Sequence, residues 1–264
     1  MLFVILSAPR SGSTHLVNLL CRHPEVACHG EVFGKKRVLF WGAGAERNKP
    51  LAEELFALRD ADAEGFLERI FGLNMGRTHV GFKIFEEHGR QIIDRLIDDV
   101  GIKKIFLYRG NILAAYSSSV VAKATGVWGT RQRSMLPEGL RAKFVAKRFL
   151  KFHDRRVRFF RDTAGRTLSS GQQFYWLPYE QLNEPLCILN LLGFIGAQPQ
   201  LNAPGLLEPK RSPTKVSERF ENPEEVEAFL RERNLQHWIY EAEQTLEPFD
   251  VHEAAAGGAF QSIG

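Results

Sequence analysis

The chain has 264 residues, of which 44% are hydrophobic and 25% charged, a composition typical of a soluble globular protein. It contains no run of about eighteen uncharged apolar residues, which excludes a membrane-spanning helix, and no basic leader with a cleavage site, so we expect a cytoplasmic protein. Its cysteines, Cys21, Cys28 and Cys187, are too few and too scattered for a disulfide framework or a zinc site.

Positive charge is concentrated in one stretch of the chain. Residues 131–161 hold eleven lysines or arginines and two acids, Glu138 and Asp154, whereas the whole chain carries a net charge of +4. Such a stretch suits a polyanionic cofactor, substrate or surface. It is equally typical of a solvated amphipathic helix, and both interpretations stay open at this point.

The chain begins with a strand, a loop and a helix. An apolar run predicts the strand at 2–6, a Pro/Gly/Ser-rich stretch predicts the loop at 7–14, and apolar residues at helical spacing predict the helix at 15–20. The amides of the first helical turn and the positive end of the helix dipole favour an anion there, and Arg10 adds a full charge. The alternative is an ordinary serine-rich turn without a ligand.

This loop differs from the phosphate-binding loop of nucleoside triphosphatases. When Gly12 is aligned with the last glycine of G-x-x-x-x-G-K-[ST], Ser13 stands where the lysine belongs, and the first glycine is missing. The fourth predicted strand, at 103–108, ends in Arg109, whereas the corresponding strand of those enzymes ends in an aspartate that holds magnesium. The pattern therefore argues against a kinase or ATPase and favours an anion site without a metal.

Two other strands carry candidate reactive side chains. A short strand at 25–30 brings Glu31 to the same edge of the sheet as the first loop, since chemistry gathers at the carboxyl ends of parallel strands. A strand at 79–85 contains Lys83, which either reaches an anion or lies on an edge strand with its amine in water. Between them, residues 34–62 predict a loop with short helical pieces.

The rest of the chain continues the alternation of helices and strands. The further predicted elements are helices at 91–100, 112–124 and 136–161, a fifth strand at 172–177, a basic loop at 198–217, a helix capped by Asn222 and a last helix at 236–243. The sequence thus predicts a single doubly wound α/β domain over residues 1–252, with a mostly parallel sheet of about five strands flanked by helices. Residues 253–264 predict a flexible tail.

Three marks in order along the chain resemble the sulfotransferases that use 3′-phosphoadenosine 5′-phosphosulfate (PAPS). Residues 9–14, Pro-Arg-Ser-Gly-Ser-Thr, fit that family's P-[RK]-[ST]-G-[ST]-[ST]. Ser117 follows the strand-end Arg109 by eight positions, and residues 179–182 read Tyr-Glu-x-Leu. The resemblance covers residues 2 to about 230, and it implies a P-loop NTPase-like fold.

The resemblance implies a role for each matching residue. The residues that would hold the 5′-phosphosulfate are those of the loop, Arg10, Ser11, Gly12, Ser13 and Thr14. Those that would hold the 3′-phosphate are Arg109 and Ser117, with Lys210 and Arg211 as weaker candidates. The product of the donor would be adenosine 3′,5′-bisphosphate, and no metal is expected.

Arg10 in place of a lysine and the segment around Glu31 look most like bacterial carbohydrate sulfotransferases of the Nod-factor and trehalose type. In the trehalose type a glutamate after the second strand is the catalytic base, which implies that role for Glu31. The animal and plant enzymes use a histidine, for which His88 is the candidate, and Lys83 is a further candidate for stabilising the sulfonate. The implied partner is a small-molecule or glycan acceptor, and nucleic acid is not expected.

Two other functions fit parts of the same pattern. One is a P-loop kinase with a degenerate loop, against which the missing lysine and aspartate count. The other is a non-catalytic protein that binds a nucleotide through the first loop, or a polyanion through residues 131–161.

Overall fold

The structure is a computed structural model that describes residues 1–36, 38–40, 49–127, 139–200 and 214–241. The chain divides into two compact units. The first consists of residues 1–108 and 162–207, and the second of residues 109–161 and 208–264. The first unit contains the β-sheet, and the second consists mainly of helices in the part described.

The sheet has five strands, all parallel, in the order β2-β3-β1-β4-β5. The strands are β1 (Leu2–Ser7), β2 (Val26–Glu31), β3 (His79–Phe85), β4 (Ile102–Tyr108) and β5 (Phe174–Pro178). The prediction of an α/β fold on a parallel sheet of about five strands is confirmed. Because all strands run the same way, the loops that follow them lie at one edge of the sheet.

Helices follow the strands in the order expected for an alternating α/β chain. They are α1 (Ser13–Leu20), α2 (Lys49–Ala61), α3 (Ala63–Gly72), α4 (Arg90–Asp98), α5 (Ile112–Thr125), α6 (Ala146–Ser169), α7 (Pro185–Ile195) and α8 (Pro223–Glu232).

Both faces of the sheet are covered by apolar side chains, as a doubly wound fold requires. Phe3 and Ile5 of β1 are fully buried in one cluster with residues of α1 and α7. Val4 points to the opposite face, where it lies beside Phe82 of β3 in the ladder. On that face the Phe82 ring packs against Phe33, with ring centroids 5.9 Å apart.

The second unit has its own aromatic core. Tyr116 of α5 packs edge-on against Phe149 of α6, with ring centroids 5.3 Å apart. Phe149 in turn contacts Phe229 of α8 at 5.7 Å, and Trp238 at 6.1 Å. Large aromatic side chains of this kind supply most of the buried apolar surface of a small core.

Two segments differ in the structure from their predictions. Residues 49–61, predicted to be part of a loop with short helical pieces, form the single helix α2. The helix predicted at 136–161 begins only at Ala146 and continues to Ser169. Before it, Ala142 forms a β-bridge with Phe220, and the Phe144 N–H donates to Asn222 Oδ1 at 2.8 Å. These contacts outside the helix replace the helical hydrogen bonds there.

The same contact alters the predicted cap of α8. Asn222 precedes the helix as expected, but its side chain bonds to Phe144 and, at 2.6 Å, to Glu225 Oε2 instead of capping a helical amide. The predicted helix at 236–243 is also wrong in its described part, where a single 3₁₀ turn spans Gln236–Trp238. The predicted tail, residues 253–264, lies outside the described residues.

Candidate functional site

The loop after β1 has a backbone conformation that ordinary residues avoid. Arg10 and Gly12 both have positive φ angles, 71° and 80°. Glycine adopts this left-handed region without strain, whereas a non-glycine residue there costs roughly 1–3 kcal/mol and persists only where its surroundings enforce it. The loop is therefore held in one conformation at the carboxyl end of β1.

A side chain at Gly12 would have no room. A Cβ atom there would lie 2.6 Å from Tyr179 Cδ2 and 2.7 Å from Leu182 Cδ1. These residues begin and end the Tyr-Glu-x-Leu stretch, which forms the 3₁₀ turn Tyr179–Gln181 after β5. The stretch packs directly against the backbone of the loop, a contact that the sequence analysis did not foresee.

The start of α1 is suited to an anion. Gly12 is the N-cap residue and offers no side chain to the amides of the first turn. The Leu16 amide donates to the carbonyl oxygen of the N-cap residue Gly12 at 3.1 Å. The amides before it point out of the helix end, where the helix dipole is positive. Such an end binds sulfate or phosphate groups readily.

A β-bulge in β2 places Glu31 beside β3. The register pairs His29 with Phe82 and then Glu31 with Lys83, so that Gly30 is an extra residue in the ladder. Because side chains alternate along a strand, this extra residue turns Glu31 to the face of Lys83. A side chain at Gly30 would crowd the neighbouring segment, since a Cβ there would lie 3.1 Å from Leu39 O.

Lys83 contacts the loop and Glu31 at the same time. Its Nζ donates to Thr14 Oγ1 at 2.9 Å and lies 3.1 Å from Glu31 Oε1. Lys83 is 4% exposed and β3 is an interior strand, so the alternative of an edge-strand lysine in water is wrong. Burial lowers the pKa of Lys83, the Glu31 carboxylate opposes this shift, and the charge of Arg10 adds to it.

His88 faces the other oxygen of the same carboxylate. It belongs to the 3₁₀ turn Glu86–His88 directly after β3, and its Nε2 lies 3.8 Å from Glu31 Oε2. The two residues named as alternative bases from the sequence, Glu31 and His88, are therefore neighbours. Burial lowers the pKa of His88, and the Glu31 carboxylate opposes that shift.

Glu31 is the accessible member of this group of side chains. Its side chain is 32% exposed, against 5% for Lys83 and 3% for His88. Each carboxylate oxygen keeps a second lone pair beyond its contact with Lys83 or His88. The arrangement can hold an anion at the loop and accept a proton at Glu31.

The second unit contains a group of buried charges that the sequence analysis found only in part. Glu241 forms ion pairs with both Arg109 and Arg219, the latter with Arg219 Nη2 and Glu241 Oε2 2.8 Å apart. All three side chains are at most 9% exposed. No motif marks Arg219 or Glu241 in the sequence, and the predicted helix at 236–243 gave no reason to single out Glu241.

The other residues predicted to hold the 3′-phosphate are not part of this group of charges in the described structure. The Ser117 side chain is buried in α5, and its hydroxyl donates to Ala114 O at 2.9 Å. Lys210 and Arg211 lie outside the described residues.

Residues 146–161 of the basic stretch form the first two thirds of α6. Its exposed cations are Lys147, Arg148, Lys151, Arg155, Arg158 and Arg161. Arg156 is instead buried and stacks on the Phe152 ring, with its Cζ atom 4.2 Å from the ring centroid. The helix thus combines a cationic face with a packed apolar face, as an amphipathic helix does.

Among the described residues, no group of three or more His, Cys, Asp or Glu side chains is arranged to hold a metal ion. No helix in the described ranges is both long and apolar enough to cross a membrane. Cys21, Cys28 and Cys187 are thiols, not disulfides.

Fold and site together define an α/β protein with a constrained loop after its first strand and a carboxylate beside that loop. The model of the family described as "Sulfotransferase family" matches residues 3–116. This matched segment includes the loop, Glu31, Lys83 and Arg109. In this segment the chain is similar to the sulfotransferase family. A comparison with curated proteins gave no significant match.

Solved structures that align with the chain include two sulfotransferases. One is a sulfotransferase from Alicyclobacillus acidocaldarius, with 17% sequence identity, 89% of this chain and 95% of that chain covered, and a TM-score of 0.47. The other is the sulfotransferase domain of the olefin synthase from Synechococcus PCC 7002, with 16% identity, 98% of this chain and 94% of that chain covered, and a TM-score of 0.40.

Proposed function

We propose that the chain is a cytoplasmic sulfotransferase that transfers the sulfuryl group of PAPS to a hydroxyl group of a carbohydrate or glycolipid. The match of residues 3–116 to the sulfotransferase family model supports this. The observation that carries the proposal is the double contact of Lys83, which joins Thr14 of the loop to Glu31. A site for an anion and a proton acceptor are thereby adjacent, as transfer from an anionic donor to a hydroxyl requires.

The chemistry of the loop fits a phosphosulfate. Amides at the start of α1, the hydroxyl groups of the loop and the charges of Arg10 and Lys83 supply donors for a dianionic group. When bound there, PAPS supplies an activated sulfuryl group whose leaving group is adenosine 3′,5′-bisphosphate. The residues assigned to the 5′-phosphosulfate are Arg10, Ser11, Gly12, Ser13 and Thr14, with Lys83 assigned to the sulfonate.

Glu31 is assigned as the general base. The acceptor hydroxyl gives its proton to a Glu31 oxygen while the acceptor oxygen forms its bond to sulfur. The bond between sulfur and the bridging oxygen of the 5′-phosphate breaks in line, and Arg10 and Lys83 stabilise the negative charge that develops on that oxygen. The resemblance of Glu31 to the base of trehalose-type enzymes is the reason for choosing a carbohydrate acceptor.

Arg109 and Ser117 are assigned to the 3′-phosphate, and Arg219 is added because it shares Glu241 with Arg109. These two arginines and one carboxylate carry a net charge of +1, which suits a further anion. For Ser117 to donate to a phosphate, its hydroxyl has to exchange the bond to Ala114. Lys210 and Arg211 remain weaker candidates for the same phosphate. No metal has a role in this proposal.

The donor is tested by thermal unfolding with nucleotides. We expect adenosine 3′,5′-bisphosphate to raise the unfolding temperature without magnesium, because the proposed contacts are amides and cations. Stabilisation by Mg-ATP alone would instead support the degenerate P-loop kinase. Binding of a polyanion such as heparin, with no response to any nucleotide, would support a role for the cationic face of α6.

The base is tested by sulfate transfer from labelled PAPS to a panel of sugars and glycolipids. We expect Glu31→Gln to lower kcat by roughly a hundredfold or more, since general base catalysis contributes about that much. Binding of adenosine 3′,5′-bisphosphate should remain, because the Glu31 carboxylate repels an anion and does not hold it. Transfer by Glu31→Gln within a few-fold of the unaltered chain would refute the assignment.

A further inference from the structure

The proposed function leaves His88 without a role, although its ring is fixed in place. The His88 side chain is 3% exposed. Its ring packs on the ring of Phe85, with centroids 5.2 Å apart and an interplanar angle of 32°. The 3₁₀ turn that holds it, Glu86–His88, follows directly on β3, the strand that carries Lys83 into the same group.

The hydrogen bond to His88 Nδ1 determines which ring nitrogen carries the hydrogen. The backbone N–H of Phe85 donates to His88 Nδ1 at 3.2 Å, so Nδ1 is an acceptor. In the neutral imidazole the hydrogen then sits on Nε2, the atom that faces Glu31 Oε2. Neither nitrogen offers a lone pair to an acceptor hydroxyl, which argues against His88 as the base.

The charges around His88 come from four elements. Glu31 in β2 and Glu87 in the 3₁₀ turn favour the protonated ring, whereas Lys83 in β3 and Arg59 in α2 disfavour it. Burial has the largest effect and lowers the pKa of His88. Protonation would also have to occur at Nδ1 and break the bond from Phe85. His88 is therefore neutral near pH 7, and it faces the Glu31 carboxylate as a donor without a charge of its own.

On the basis of the proposed function, we propose that His88 is a positioning residue whose Nε2–H fixes the orientation of the Glu31 carboxylate for the acceptor hydroxyl. Lys83 Nζ lies 3.1 Å from Oε1 and His88 Nε2 lies 3.8 Å from Oε2, so each oxygen of an otherwise accessible carboxylate faces one buried partner. The separation of 3.8 Å is longer than a hydrogen bond. Contacts of catalytic groups commonly shorten when the substrate binds.

The first test is a nitrogen NMR spectrum of the ¹⁵N-histidine-labelled chain, which reports the tautomer without any need for activity. We expect the Nε2–H form of His88 at pH 7 and a titration below the ordinary histidine value of about 6.5. In Glu31→Gln the pKa of His88 should fall further, because a negative charge has been removed. The Nδ1–H form, or a titration that Glu31→Gln does not change, would overturn the proposal.

The second test compares two replacements of His88 by sulfate transfer. His88→Gln keeps an N–H donor near the position of Nε2, and His88→Leu removes it. We expect kcat to stay within about threefold for His88→Gln and to fall roughly 10- to 100-fold for His88→Leu, as for other groups that orient a reacting ligand. The KM for PAPS should be unchanged in both. His79→Gln, at the other end of β3, is the matched control for loss of an imidazole.

The possible outcomes distinguish a failure of the His88 inference from a failure of the proposed function. Equal loss in His88→Gln and His88→Leu, with activity retained in Glu31→Gln, would make His88 the base and overturn its positioning role. Full activity in His88→Leu would overturn the positioning role as well. If the unaltered chain transfers no sulfate, the proposed function fails, and the NMR spectra still decide whether His88 orients Glu31.

Discussion

At the scale of single residues, Arg10 combines a backbone cost with a charge. Its φ angle of 71° is one that glycine adopts easily and arginine does not. The proposed function gives a reason for keeping the arginine, because its guanidinium would stabilise the leaving group. The charge of Arg10 is also felt by Lys83, whose pKa it helps to lower. Substitutions of Arg10 can therefore separate the effect of backbone strain on stability from the effect of the charge on anion binding.

We expect Arg10→Gly to be more stable than Arg10→Ala by roughly 1 kcal/mol, because only glycine removes the strain of the left-handed backbone. Both variants should bind adenosine 3′,5′-bisphosphate about tenfold more weakly or worse, since each loses a charged donor. Urea unfolding measures the first effect and calorimetry the second. Equal stability of the two variants would show that the loop backbone is not strained.

Single residues of the site can be predicted from the sequence, but their contacts cannot. Glu31 and Lys83 are identifiable one at a time, from the end of one strand and the interior of another. Their contact depends on the bulge at Gly30, and a sequence pattern does not reveal an extra residue in a ladder. His88 was recognisable only as a histidine after a strand, because its tautomer depends on the backbone amide of Phe85.

At the scale of elements, the bounds of α6 illustrate how contacts override local preference. The pattern of apolar and basic residues continues back to residue 136, yet the helix begins at Ala146. Asn222 accepts the Phe144 amide hydrogen that an earlier helix start would require. This competition joins residues far apart in the chain, so no local pattern predicts it. The strands were predicted more closely, because apolar runs between turns mark their ends directly.

Glu241 joins Arg109, just before α5, to the segment around Arg219. We expect Glu241→Gln to lower the free energy of unfolding by about 3 kcal/mol, because two buried guanidinium groups would lose their shared counter-charge. Urea unfolding is the measurement. Glu232→Gln is the matched control, since its pair with Arg233 is largely exposed on the glutamate side. A similar loss in both variants would contradict the expectation.

At the scale of the whole molecule, buried histidines make stability depend on pH. Burial lowers the pKa of His29 to about 4, and it also lowers the pKa values of His79, His88 and His153. A lowered pKa in the folded state means that the unfolded chain binds more protons. The stability from these neutral rings is complete above about pH 6.5 and decreases as the pH falls below it.

We therefore expect the free energy of unfolding to fall between pH 7 and pH 5, by up to about 1.4 kcal/mol per pH unit for each ring that stays neutral when folded. For His29 the loss continues down to its pKa of about 4. Urea unfolding at a series of pH values measures the slope, and His29→Gln should reduce it. A slope that is the same in His29→Gln would show that this ring does not contribute.

The contact of Gly12 with Tyr179 and Leu182 has a consequence for evolution and for engineering. Two stretches far apart in the chain form one packed unit, since no side chain at Gly12 fits beside these rings and methyl groups. If the loop around Gly12 were replaced by the loop of another protein, the turn at 179–182 would therefore have to be replaced with it. Substitutions at positions 12, 179 and 182 should be inherited together, and libraries that vary the loop alone should recover glycine at position 12.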